Sequence, residues 1–119
     1  MKNILVVDDE KPLANALVLK LTHEGFEATA VYDGEQAIDA LGKNTYDLIL
    51  LDLIMPVMDG FLLLEKIKEK GISTPVVVSS NLSQSEDFSK AKSLGAVDFF
   101  VKSDTPISDI IGKINKILE

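Results

Sequence analysis

Four short stretches hold the residues whose chemistry stands out: Asp8-Asp9-Glu10, Asp52, Ser79-Ser80 and Lys102. Each lies at the end of an apolar run, after NILVV, LILL, PVVV and VDFFV. Gathered in one place, Asp8, Asp9 and Asp52 would repel one another unless a cation sat among them. A hard divalent cation with oxygen ligands is the natural occupant, and Mg2+ is the common cellular choice. Lys102 adds a compact positive charge, and a serine adds a hydroxyl donor. Cation, ammonium and hydroxyl around a carboxylate are what a phosphoryl group needs. A carboxylate can itself be the nucleophile that accepts it. The residues point to a Mg2+-dependent aspartyl-phosphate site with Asp52 at its centre.

Bringing these stretches together is the task of the elements between them. The pattern predicts strands at Asn3 to Asp8, Phe26 to Val31, Asp47 to Asp52, Pro75 to Ser80 and Val97 to Val101. Between and after them it predicts helices at Pro12 to Glu24, Glu35 to Leu41, Asp59-Gly60 to about Lys70, Glu86 to Leu94 and Pro106 to Leu118. Pro12 stands in a first turn, where its missing N–H costs nothing, and Asp59 is placed to cap the third helix. Leu13, Leu17 and Leu21 recur at four-residue spacing, as do Ile107, Ile111 and the apolar positions between and after them, so these helices are amphipathic. Alternating strands and helices imply an α/β fold, a doubly wound parallel sheet of five strands flanked by five helices. Strands one, three and four are near-continuously apolar, as in strands buried on both faces. Strands two and five alternate, which suits edges, and edges at two and five give the order 2-1-3-4-5. In such a sheet, ligands bind beyond the carboxyl ends of the strands, where the four stretches stand. Adjacent strand residues face opposite sides, so only one of Ser79 and Ser80 can point at the site.

Composition narrows the partners. The 119 residues suit one domain, expected over 1–119. Asp and Glu number 19 against 12 basic residues, all of them Lys, for a net charge of −7. An acidic chain without Arg is a poor match for nucleic acid or an anionic membrane surface. The absence of Cys excludes disulfides and thiolate chemistry. No apolar run approaches a membrane span, and the start reads straight into a strand without a cleavage site, so a cytoplasmic location is expected.

The chain resembles the receiver domain of bacterial response regulators. The resemblance rests on Asp8-Asp9-Glu10, on Asp52-Leu53-Ile54-Met55-Pro56-Val57-Met58-Asp59-Gly60, on Ser80 and on Lys102, in that order, and covers essentially the whole chain. It implies a phosphoacceptor rather than a conventional enzyme, one that promotes its own Mg2+-dependent phosphorylation and dephosphorylation. Asp52 would take its phosphoryl group from the phosphohistidine of a sensor histidine kinase, or from a phosphotransfer protein. Asp9 would bind Mg2+ directly and Asp8 mainly through water, with the Ile54 backbone carbonyl as a further ligand. Lys102 would pair with the phosphoryl group, Ser80 would swing to hydrogen-bond it, and Phe99 would move inward. Family spacing from Pro75 and to Lys102 favours Ser80 over Ser79. The chain departs from the family pattern at Ser103, where Pro is usual, at Asn81, where a small apolar residue is usual, and at Phe99, where Tyr is common.

Other functions fit less well. A flavin mononucleotide carrier would need a phosphate-cradling loop where Asp8-Asp9-Glu10 stands. An Asp-nucleophile hydrolase would need a substrate cap for which there is no room. A pseudo-receiver acting without phosphorylation is the alternative that remains. The fourth helix is the most polar, so the surface formed by helix four, strand five and helix five is the expected output face. It would act on a downstream protein target or on an output domain beyond this chain. Ile54 and Leu82, both apolar and both at the mouth of the site, are expected to slow hydrolysis by keeping an attacking water unoriented.

Overall fold

The computed structural model describes residues 1–55, 58–82 and 84–119. Five strands, β1 (Asn3–Val7), β2 (Glu27–Val31), β3 (Leu48–Leu51), β4 (Val76–Ser80) and β5 (Ala96–Val101), alternate with α1 (Lys11–His23), α2 (Gly34–Lys43), α3 (Gly60–Glu69), α4 (Ser85–Ser93) and α5 (Ile107–Ile117). The strands form one parallel sheet in the order β2-β1-β3-β4-β5. The expected architecture and strand order are therefore those observed. All of β3 and β4 is buried, whereas β2 carries exposed residues at alternate positions, as its edge place requires.

Side-chain alternation divides the core into two layers. Ile4, Val6, Leu48, Leu50, Val77 and Phe100 pack with residues of α1 and α5 on one face. Leu5, Val7, Ile49, Leu51, Val76 and Val78 pack with residues of α2, α3 and α4 on the other. Pro12 lies in the first turn of α1, and Asp59 caps α3 by accepting from Leu62 N–H at 2.9 Å, as expected. Most element ends fall within a residue of their expected places. Helix α2 is longer, beginning at Gly34 because the Asp33 side chain accepts from Gln36 N–H at 2.8 Å, and running on to Lys43. A register shift in the β4–β5 pairing places Val97 as an extra residue between Ala96 and Asp98, which face Val76 and Val77. After β5 the chain makes a single 3-10 turn, Lys102–Asp104, that the sequence pattern gave no sign of.

Candidate functional site

The carboxyl ends of β1, β3 and β5 converge on a cavity of about 160 Å3 lined by Asp9, Glu10, Asp52, Ile54, Asn81 and Lys102. Parity explains what points there. Asp8 continues the Ile4–Val6 face of β1, and Asp52 continues the Leu48–Leu50 face of β3. Backbone bonds extend the ladder past both strands: Asp8 N–H donates to the Val31 carbonyl at 3.1 Å, and Asp52 N–H to the Val7 carbonyl at 2.9 Å. The two carboxylates are thus held on sheet backbone rather than on loose loop. Gly60 draws the start of α3 against the end of β3, its N–H donating to the Leu53 carbonyl at 2.8 Å. A Cβ at position 60 would lie 2.6 Å from the Asp52 carbonyl oxygen, so the Asp-Gly pair permits an approach that no larger residue allows.

Asp8 and Asp52 are both buried, at 3% and 6% exposure, while Asp9 is exposed. Carboxylate oxygens of Asp8, Asp9 and Asp52 all lie within 4.8 Å of one another. The Lys102 ammonium reaches into this group, 2.7 Å from Asp8 Oδ2, 3.1 Å from Asp52 Oδ2 and 3.5 Å from Glu10 Oε2. Both Asp8 oxygens are engaged, because Oδ1 accepts from Glu10 N–H at 2.9 Å. Asp52 Oδ1 accepts from Ile54 N–H at 3.3 Å. Among the described residues no hydrogen bond or ion pair engages the Asp9 carboxylate. Burial pushes the Asp52 carboxyl above its ordinary pKa, with Lys102 opposing and the Asp8 charge adding to the rise. Burial alone would lower the Lys102 ammonium, but its hydrogen bond to Asp8 and the Asp52 and Asp8 charges outweigh that and raise it. The site therefore holds an excess of negative charge that one ammonium only partly offsets. Its exposed side, at Asp9, offers hard oxygen donors of the kind a small divalent cation takes.

Strand parity separates the two serines: Ser79 follows Val77 on the face that Asp8 and Asp52 continue, and Ser80, the serine favoured by the resemblance, lies on the opposite face. Ser80 is fully buried, and its hydroxyl accepts from Leu82 N–H at 3.4 Å. By parity it follows Val76 and Val78 toward α3 and α4, and among the described residues no hydrogen bond joins it to Asp52 or Lys102. Phe99 packs against the same layer, its ring 4.4 Å from that of Phe88 on α4 and nearly edge-on at 67°. Ile54 is 56% exposed and lines the cavity. Leu82 instead packs against the α2–α4 side of the core. Met55 is buried in that layer and Met58 packs on it, so both serve packing; Pro56 and Val57 lie outside the described residues. Sequence reasoning missed two features, the engagement of Glu10 with Lys102 and a bond between Asn81 and Ser103. Their signals were the acidic run after β1 and the two departures from the family pattern.

This fold and this acidic pocket define a receiver module. The chain belongs to the response regulator receiver domain family, whose sequence model matches residues 4–114. It is 36% identical over 118 residues to the response regulator ArlR of Staphylococcus aureus, covering 99% of this chain and 53% of ArlR. The chain thus spans about half the length of the curated relatives it matches. Among solved structures it is similar to a receiver domain of a Francisella response regulator, with TM-score 0.94, 30% identity and coverage of 99% and 97% of the two chains. It is also similar to the response regulator TrrA of Thermotoga maritima, solved in complex with Mg2+ and BeF, with TM-score 0.85, 29% identity and full coverage of both. The family is one of phosphoacceptor signalling modules rather than conventional enzymes, and its members are partnered with histidine kinases in two-component systems. Among the described residues no helix is long and apolar enough to cross a membrane.

Proposed function

We propose that this chain is a phosphorylatable switch, a single receiver domain over 1–119, with Asp52 as the phosphoacceptor. The observation that carries the reading is the placement of Lys102 between Asp8 and Asp52, at 2.7 and 3.1 Å, beside an exposed Asp9. Asp52 supplies the nucleophilic oxygen. Its new P–O bond forms as the P–N bond of a kinase or phosphotransfer phosphohistidine breaks, and the imidazole leaves with that electron pair. Lys102 is already within reach of Asp52 and lies where the phosphoryl oxygens would gather negative charge. The three carboxylates fit Mg2+ as the bound ion, which when present would neutralise that charge and orient the phosphoryl oxygens. The Asp9 carboxylate, exposed and engaged by no hydrogen bond or ion pair among the described residues, would be a direct ligand, with Asp52 and the Ile54 carbonyl as further donors and Asp8, held at both oxygens by Glu10 N–H and Lys102, acting mainly through water. Ser80 and Phe99 are the candidate switch pair, set against α4 on the face that leads to the output surface α4–β5–α5. The family's usual setting makes a cytoplasmic location and a protein target, or an output domain, the fitting context.

The test is direct. Wild type incubated with Mg2+ and acetyl phosphate should gain one phosphoryl group by intact mass. Asp52→Asn should keep the fold by circular dichroism and gain none. An undiminished adduct on Asp52→Asn would remove Asp52 from this role.

A further inference from the structure

Two of the three departures from the receiver pattern lie 22 residues apart and meet in the fold. The Ser103 backbone N–H donates to Asn81 Oδ1 at 3.0 Å. Asn81 directly follows β4, and Ser103 is the middle residue of the turn Lys102–Asp104. The bond therefore ties the loop after β4 to the turn after β5. That turn is otherwise loosely closed, since Thr105 N–H reaches the Lys102 carbonyl only at 3.5 Å. The two residues depend on each other chemically. A proline at 103 has no N–H to give, and an apolar residue at 81 has no oxygen to receive one. Asn81 and Lys102 line the same cavity. The Lys102 side chain is held at its ammonium end by Asp8 and Asp52. At its base it is held by the backbone of this turn.

Resting on the phosphoacceptor reading above, we propose that Asn81 is a positioning residue for phosphoryl transfer. By anchoring the Ser103 N–H it fixes the turn that carries Lys102, and so fixes where the ammonium meets a phosphoryl group arriving at Asp52. Until transfer, the carboxylates can hold the ammonium. Once a phosphoryl group draws on it, the ammonium has to shift partners, and its base has to stay in place for the new contact to form. The departure at 81 thus compensates for the departure at 103: a side-chain acceptor fixes a turn that in the usual pattern is stiffened by a proline ring.

The test uses wild type, Asn81→Ala, Ser103→Pro and the double variant, at saturating Mg2+ with acetyl phosphate as the phosphoryl donor. In that reaction an Asp52 oxygen forms the new bond to phosphorus, the bond from phosphorus to the acetate oxygen breaks, and acetate leaves with the electron pair. Initial adduct formation is read by intact mass, and exchange of the Ser103 amide by NMR. Asn81→Ala is expected to slow adduct formation about two- to tenfold, the effect of losing one ordinary hydrogen bond, and to speed Ser103 exchange. In the Ser103→Pro background the Asn81→Ala step is expected to have no further effect, because the bond is already gone. Equal slowing in both backgrounds would overturn the proposal, as would unchanged Ser103 exchange in Asn81→Ala. Should Ser103→Pro not fold, the Ser103 exchange of the Asn81→Ala single variant decides. A wild type that forms no adduct would overturn the phosphoacceptor reading and this inference with it. A labelled wild type that Asn81→Ala matches in rate would overturn this inference alone.

Discussion

Among the described residues Lys102 is the only cation paired with Asp8 and Asp52, so its removal exposes what the pocket costs the fold. Lys102→Met keeps a stem of similar length and deletes the charge. The side chains concerned are 10%, 4% and 7% exposed, within the range where losing one partner strands the others. Breaking a buried ion pair in this way costs about 3–5 kcal/mol. Glu10, 57% exposed, adds little, and the exposed Asp9 side lets water relieve part of the strain. The lower end, about 3 kcal/mol, is therefore the appropriate figure. For a domain of this length it corresponds to a Tm lower by about 10 °C. The raised Lys102 pKa gives the sign with pH: the contribution is fully present at neutral pH and is lost only as pH rises through the folded-state value.

The same variant should change its response to metal. A ligand that binds only the folded state stabilises it by RT ln(1 + L/Kd), with L the free ligand concentration, so at one excess concentration the tighter binder gives the larger increment. With the ammonium gone, a divalent cation meets the carboxylates without a competing positive charge. Addition of excess Mg2+ after EDTA should raise the Tm of Lys102→Met by more than it raises that of wild type. Differential scanning calorimetry in the two buffers measures both effects. An unchanged Tm in EDTA, or an equal Mg2+ increment for both proteins, would refute the view of Lys102 as the pocket's resident counterion.

Further outcomes follow from the same geometry. Asp9→Ala should weaken Mg2+ binding by isothermal titration, and raise the Tm in EDTA slightly, because one of three crowded carboxylates is removed; unchanged Mg2+ affinity would contradict this. Amide exchange on phosphorylation should change in α4, β5 and the start of α5, where the sole buried residue of α4 is Ala91 and its Phe88 ring meets Phe99; changes confined to α1 and α2 would locate the output face elsewhere. Ile54→Asn together with Leu82→Glu should speed loss of the phosphoryl group, with Ile54→Asn carrying most of the gain because Ile54 lines the cavity and Leu82 packs on the core. Equal lifetimes for wild type and the double variant would dispose of the shielding argument.

The architecture was legible because each of its causes is local. Buried strands need unbroken apolar runs, and edge strands can alternate, so strand type announced strand order. The site was legible for the same reason: parity carries Asp8 and Asp52 onto one face, and fold class decides that strand ends meet. Element ends were less so. The start of α2 depends on an Asp33 side-chain cap, and its last residues, Gly42 and Lys43, are exposed and carry no apolar signal. The 3-10 turn at Lys102–Asp104 has no periodicity to read.

What the sequence could not deliver was pairing between loops. Asn81 and Ser103 each read as a lapse from the family pattern when taken alone, because nothing in a linear string relates position 81 to position 103. The relation comes from register: β4 and β5 pair so that Ser80 faces Val101, and the next residues of each strand therefore leave the sheet side by side. At that point a backbone N–H and a side-chain carbonyl fall within 3.0 Å. Each departure supplies the half of a hydrogen bond that the usual residue at its position lacks, so the two changes make physical sense only together. Because the donor is the Ser103 backbone N–H, a side-chain change at 103 that keeps that N–H should keep the bond, whereas Asn81→Ala should loosen the turn, and should have no further effect once Ser103→Pro has removed the donor.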